Sequence, residues 1–264
     1  MKTVTLNNGV EMPQVGYGVY QISPEECKRC VMEAIRAGYR LIDTAQAYYN
    51  EEGVGEAIVG CGIPREELFI TTKVWISNAG DEPAARSIDE SLRKLHTDYI
   101  DLLLVHQPFG DYYGTYRAME RACRDGKVRA VVQLETHVYS QQLKMRGLIK
   151  EYGTRLMAWS PLAQGMNGLF ADETLKVIGL RHGKTNAQVA LKFLVQEGIV
   201  VIPKTTHPER MASNLALDDF LLTTEEMEAV RRLDTGRPLA ADFNDPALAR
   251  LLLEYDRRNN PASK

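Results

Sequence analysis

Leu102-Leu103-Leu104-Val105-His106 is the stretch that decides how this chain folds. Four apolar residues are too few for a helix and suit a strand buried on both faces. A polar side chain then follows at once. The same pattern recurs on either side. Tyr39-Arg40-Leu41-Ile42 runs into Asp43, Phe69-Ile70-Thr71-Thr72 into Lys73, Arg155-Leu156-Met157-Ala158 into Trp159-Ser160, and Val200-Val201-Ile202-Pro203 into Lys204. Strands are therefore expected at 39–42, 68–72, 100–105, 128–134, 155–159 and 199–202, with amphipathic helices at 24–37, 81–95, 115–124, 141–152, 186–196 and 208–215. Alternating strands and helices give a mostly parallel sheet with helices outside. Polar residues at so many strand ends point to a closed barrel, whose C-terminal strand ends face one pocket. A doubly wound dinucleotide fold would instead carry G-x-G-x-x-G directly after its first strand. Gly53-Val54-Gly55 follows the polar Asn50-Glu51-Glu52, not a strand, and is not read as a phosphate loop. The fold class expected is α/β, a (β/α)8 TIM barrel.

Helix punctuation agrees with that reading. Ser23-Pro24 is expected to cap and start the first helix, and Gly38 to end it. Thr185 is expected to cap the helix after it, and Thr223-Thr224 with Glu225 and Glu226 to open a late one. One more helix is expected at 246–258, where Leu251-Leu252-Leu253 serves packing or subunit contact.

Composition narrows the function classes. The 264 residues carry 32 basic and 35 acidic side chains, a net charge of −3, with no basic block, so nucleic acid is not an expected partner. No apolar run reaches membrane-spanning length, and Met1–Gly9 shows no leader pattern, so a cytoplasmic protein is expected. Cys27 and Cys30 form a C-x-x-C, but no second cysteine or histidine pair completes a metal site. They read as reduced cysteines on a helix, and no metal is expected.

Asp43, Tyr48, Lys73 and His106 are the catalytic candidates. Each has an ordinary reading alone: a helix cap, a packed ring, a solvated cation and a core histidine. Placed together at one barrel face, they form a constellation able to move a proton.

On these residues the chain resembles the aldo-keto reductase family, from Pro13-Gln14-Val15-Gly16-Tyr17-Gly18 to about Arg237. Gly38-Tyr39-Arg40-Leu41-Ile42-Asp43-Thr44-Ala45 with Tyr48 looks like the first family signature, and Ile202-Pro203-Lys204-Thr205 with Arg210 and Asn214 like the last. Lys73-Val74-Trp75 and Asp101 to His106 match between them. The likeness is to bacterial members that reduce diketogluconate and small reactive aldehydes. It implies a single reductase-like barrel domain over 1–264 that reduces carbonyl groups with NADPH, as a monomer or weak homo-oligomer. Tyr48 would give the proton, Lys73 would lower its pKa from about 10, Asp43 would hold Lys73 charged, and His106 would orient the carbonyl.

The same resemblance supplies a cofactor site. Lys204, Thr205 and Arg210 near a helix N-terminus suit the 2′-phosphate of NADP(H). Trp159 would stack on the nicotinamide, and Gln133 would hold its carboxamide. Ser160, Pro161 and Leu162 would lead into a loop over the pyrophosphate, and Asn214 would meet adenine, although Ser213 stands where the family often has Glu. Tyr20, Tyr49, Trp75, Gln107 and Phe109 are expected to line the substrate pocket, made more polar by Gln107 where many members carry Trp, and the resemblance implies that C-terminal residues after the barrel help to shape it.

The pattern breaks at one point. Gly126-Lys127-Val128-Arg129-Ala130 runs straight into Val131-Val132-Gln133-Leu134-Glu135. By the resemblance about twenty residues are absent there, including a Ser-Asn pair that holds the nicotinamide amide, whereas parallel neighbours need a crossover of about a dozen residues or more. The barrel is thus expected to be interrupted at strands 5–6. Either one continuous strand replaces two, or a segment is missing from the chain. The rival to a working reductase is a catalytically impaired NADP(H)-binding relative with a binding or regulatory role. A barrel enzyme acting on a sugar phosphate is a third reading, without a metal-ligand cluster to support it.

Overall fold

The computed structural model describes residues 2–129, 134–143, 146–147, 155–236 and 246–260. They fall into two compact units, one made of Met1–Gly16 and Gln133–Ala241, the other of Tyr17–Val132 and Asp242–Lys264.

The first unit opens with a hairpin the sequence reading did not anticipate, β1 (Thr3–Thr5) antiparallel to β2 (Glu11–Pro13). In the second unit β3 (Tyr17–Gly18), β4 (Leu41–Asp43), β5 (Phe69–Val74) and β6 (Leu102–Val105) form a parallel sheet in that order. All six residues of β5 are buried, which suits its β-branched and apolar residues, with Lys73 as the one charged side chain among them. The helices α1 (Pro24–Ala37), α2 (Glu51–Gly60) and α3 (Asp81–Lys94) connect these strands in turn, and α4 (Tyr112–Arg124) follows β6. In α1 the buried residues Cys27, Cys30, Val31, Ala34 and Ile35 make the apolar stripe of a 3.6-residue period. Burial pushes the Cys27 thiol up to about 12, so it is inert near neutrality.

The caps agree with expectation in part. Pro24 starts α1, but the Ser23 side chain makes no capping hydrogen bond, while Gly38 ends the helix at φ 110. The helix α4 starts one turn earlier than the expected residue 115, because the Asp111 carboxylate accepts from the Gly114 N–H and satisfies the first turn. The rejected glycine pair lies inside α2. A Cβ on Gly55 would sit 2.2 Å from the Lys94 carbonyl oxygen, so this glycine serves close helix packing.

In the first unit β7 (Leu134–Glu135), β8 (Met157–Trp159) and β9 (Val200–Val201) form a three-stranded parallel sheet. Helices α5 (Glu173–His182), α6 (Asn186–Gln196), α7 (Pro208–Leu215) and α8 (Thr224–Arg231) belong to the same unit. Thr185 and Thr223 each close a capping box, with Gln188 and Glu226 respectively. The last helix, α9 (Pro246–Asn259), belongs to the second unit.

Two expected elements fall partly outside the described residues. Of the strand expected at 128–134, Val128 bridges to Ile100 in the second unit and Leu134 opens β7, while residues 130–133 lie outside. Of the helix expected at 141–152, residues 143, 146 and 147 are helical and 144–145 and 148–152 lie outside. Among the described residues no helix is long and apolar enough to cross a membrane.

Candidate active site

Strand register brings three of the four catalytic candidates together. Asp43 pairs with Thr71, and Lys73 pairs with Leu104. Side chains two residues apart share a face of a sheet. Lys73 therefore shares the face of Asp43, and His106, two past Leu104, shares the face of Lys73. Tyr48 arrives from the short 3-10 turn Gln46–Tyr48 that follows β4, and Tyr49 ends that turn in the left-handed region at φ 55.

The ammonium of Lys73 is the centre of the site. It donates to Asp43 Oδ1 at 2.7 Å, to the Thr44 carbonyl at 2.8 Å and to the Tyr48 hydroxyl at 3.3 Å. Three protons meet three acceptors, which fixes the cation without water. The two charged side chains are 1% and 3% exposed. Burial pushes the Asp43 carboxyl up and the Lys73 ammonium down, and their ion pair opposes both shifts. Asp43 Oδ2 is buried without a partner.

The expectation that Lys73 lowers the Tyr48 pKa is corrected here. The Tyr48 phenol is held well above its ordinary value of 10.0, first by burial, then by the negative charge of Asp43 and by Tyr20 and Tyr255. Asp43, 2.7 Å from the ammonium, offsets part of the field of Lys73. Tyr48 thus rests fully protonated, as a proton donor must. His106 is shifted the other way, well below 6.5, by burial and then by the Lys73 cation, so its imidazole is neutral near pH 7. Its Nδ1 is buried without a partner.

Aromatic rings surround these groups. Tyr20 lies 5.0 Å from Tyr48, Tyr48 5.4 Å from His106, His106 5.0 Å from Trp75, and Trp75 6.4 Å from Tyr255, centroid to centroid. Trp75 Nε1 and Gln107 Oε1 are buried and unpaired. The Phe109 N–H donates to the Gln107 carbonyl at 2.8 Å. Tyr49, expected in the pocket wall, sends its hydroxyl to Asp256 at 2.7 Å.

Three contributors escaped the sequence reading. The Gln46 side-chain oxygen accepts from the Trp75 N–H and from Asn78, both at 2.9 Å, and its amide donates to the Ser87 carbonyl and Ser91 hydroxyl, both at 3.1 Å. It rivets the end of β5. Tyr255 and Asp256 come from α9, more than 200 residues away in sequence, and no local pattern marks them.

The cofactor candidates lie in the first unit. Trp159 ends β8, and Ser160 follows at φ 57 with its Oγ buried and unpaired. Leu162 leads into the turn-rich stretch Ala163–Ala171, where five residues have non-helical backbone. Lys204 is exposed just before α7, and Arg210 is exposed in its first turn. Thr205 is buried and accepts from the His207 N–H at 3.2 Å, and Asn214 is buried on α7. Gln133 lies outside the described residues.

The model of the "Aldo/keto reductase family" matches residues 9–132 and again 130–235. The two matches overlap at residues 130–132. The glyoxal reductase of Bacillus subtilis (strain 168) is 41% identical over 257 residues, covering 88% of this chain and 92% of the relative. Among solved structures, MGS-M4, an aldo-keto reductase enzyme from a Medee basin deep-sea metagenome library, superposes with a TM-score of 0.89 at 36% identity, covering 92% of this chain and 98% of that one. A variant of Gox0644 in complex with NADPH superposes with a TM-score of 0.87 at 32% identity, covering 92% and 97%. These likenesses bear out the α/β class and the (β/α)8 barrel fold read from the strand ends.

Proposed function

Because the chain belongs to the aldo/keto reductase family, we propose that it reduces the carbonyl group of small aldehydes and ketones to alcohols with NADPH, with Tyr48 as proton donor. The observation that carries this reading is the Lys73 ammonium bonded at once to Asp43, Thr44 and the Tyr48 hydroxyl. Small dicarbonyls such as glyoxal are the substrates it favours, since the glyoxal reductase of Bacillus subtilis is a relative at 41% identity.

The residues present fit the cofactor. Lys204 and Arg210 are exposed cations at the start of a helix, where backbone N–H groups and the helix dipole also favour a phosphate. The unpaired Ser160 Oγ is a further polar group for that ligand, and Trp159 offers a flat ring to a nicotinamide. Thr205, Leu162 and Asn214 complete the set in this unit, with Gln133 as a proposed amide contact. Bound NADPH supplies a hydride to the carbonyl carbon. As the carbonyl oxygen gains charge, the Tyr48 hydroxyl gives it a proton. The tyrosinate left behind is stabilised by the Lys73 ammonium, which Asp43 keeps in place. Neutral His106 donates an N–H to the same oxygen and orients it for attack. The rings of Tyr20, Trp75 and Phe109 and the amide of Gln107 are proposed to bound the substrate.

We propose that 1–264 acts as one domain, working as a monomer or weak homo-oligomer without a nucleic-acid partner. The rival reading, an NADP(H)-binding relative without turnover, draws on the two family matches that abut at 130–132. One assay separates them: NADPH oxidation with glyoxal, methylglyoxal and simple aldehydes. Turnover is expected and should fall about 10²- to 10⁴-fold in Tyr48→Phe. NADPH binding without turnover would favour the rival, and full activity in Tyr48→Phe would remove Tyr48 from its role.

A further inference from the structure

Both residues that flank Tyr48 are tied to consecutive residues of the C-terminal helix. Tyr49 donates its hydroxyl to Asp256 Oδ1 at 2.7 Å, and Tyr255 donates its hydroxyl to the Ala47 carbonyl at 3.4 Å. Asp256 is buried, at 7% exposure, so its bond to Tyr49 is shielded from competing water. The Tyr255 ring also meets Trp75 edge-on.

The turn between these two ties is intrinsically weak. Gln46–Tyr48 is a single 3-10 turn, closed by Tyr48 N–H to the Ala45 carbonyl at 3.0 Å and Tyr49 N–H to the Gln46 carbonyl at 3.2 Å. Such turns have poorer hydrogen-bond geometry than an α-helix. Tyr49 ends the turn at φ 55, a left-handed conformation that is unfavourable for a non-glycine residue. An external restraint is therefore needed to hold that end in place. The far side is anchored by Asn50, whose amide donates to the Val19 and Ile22 carbonyls at 3.0 Å. The start of the turn is held by the four side-chain hydrogen bonds of Gln46, and α9 adds the ties to Ala47 and Tyr49 between these anchors.

We propose that Asp256 and Tyr255 are positioning residues, which act through Tyr49 and Ala47 to hold the Tyr48 turn in the geometry for proton transfer. The proposal rests on the reading of Tyr48 as proton donor. It gives α9 a part in the rate of the chemical step. The Tyr48 hydroxyl already lies 3.3 Å from Lys73, at the long end of a hydrogen bond, so a small shift of the turn separates them.

The test compares Asp256→Ala, Asp256→Asn, Tyr49→Phe and the Tyr49→Phe/Asp256→Ala double variant in steady-state turnover of NADPH with glyoxal. NADPH affinity is followed separately by fluorescence, because the cofactor candidates sit in the other unit. Asp256→Ala should lower kcat about 10- to 100-fold, the cost of a small misplacement at a reacting group, with NADPH affinity unchanged. Asp256→Asn should recover most of that loss, because the amide oxygen still accepts from Tyr49. Tyr49→Phe should match Asp256→Ala, and the double variant should be no worse than either, as expected when one interaction has been removed. Wild-type kcat in Asp256→Ala overturns the proposal. So does a loss in Ala and Asn alike that comes with weaker NADPH binding and a lower melting point, which would mean a fold fastener only. Tyr48→Phe, measured first, separates failure of this proposal from failure of the proton-donor reading.

Discussion

Replacing Lys73 with Met removes the cation 3.3 Å from the Tyr48 hydroxyl while keeping most of the buried volume. At that distance a unit charge and a full phenolate attract by about 5 kcal/mol at an effective dielectric constant of about 20. Asp43 offsets part of this field from 2.7 Å behind the ammonium. Proton transfer is also incomplete in the transition state. About half the attraction, roughly 2–3 kcal/mol, is the expected loss, which is about a hundredfold in rate. The assay is single-turnover oxidation of NADPH with glyoxal, using deuterated cofactor to confirm that hydride transfer is being watched. The substitution also strands Asp43. Breaking a buried pair by removing one partner costs about 3–5 kcal/mol when the other stays charged. Burial already pushes this carboxyl toward its protonated form, so the observed loss in a urea melt should fall below that range. A hydride-transfer rate near that of the wild type would refute the role of Lys73 in stabilising the forming tyrosinate.

Three further expectations concern His106 and Arg210. His106 is neutral because its pKa lies well below 6.5, so kcat/KM should show no inflection near 6.5; a limb there that vanishes in His106→Asn would show that it titrates in the working range. The unfolded chain takes up this proton before the folded one does, so His106 costs stability as pH falls through 6.5, which a pH series of urea melts would register. Arg210→Ala should weaken NADPH binding about 10- to 100-fold, the worth of a charge-assisted hydrogen bond, and leave NADH binding unchanged. Equal effects on both cofactors in a fluorescence titration would rule out the 2′-phosphate as its target.

Much of the candidate constellation was legible because strands impose a period of two. Asp43, Lys73 and His106 each follow an apolar run, and the register of β4, β5 and β6 places them on one face. The caps at Thr185 and Thr223 were legible for a similar reason, since a capping box is a local contact between residues three apart. The hairpin of β1 and β2 was not foreseen, because Thr3–Thr5 and Glu11–Pro13 are too short and too polar to carry a strand signal. The early start of α4 was hidden by Tyr112 and Tyr113, which are weak helix formers, and was decided by the Asp111 cap.

The amino-acid sequence by itself determined the alternation of strands and helices, the strand ends that carry polar groups, the family resemblance and the residue types able to move a proton. These are local or periodic properties, written into neighbouring residues. Only the tertiary structure decided the charge states and the restraints on the site. Tyr48 keeps its proton because burial and the negative charge of Asp43 raise its pKa, a combination of desolvation and charge that has no signature in sequence spacing. The ties from Tyr255 to Ala47 and from Asp256 to Tyr49 join positions 208 and 207 residues apart, and only chain packing brings such distant groups within hydrogen-bond reach.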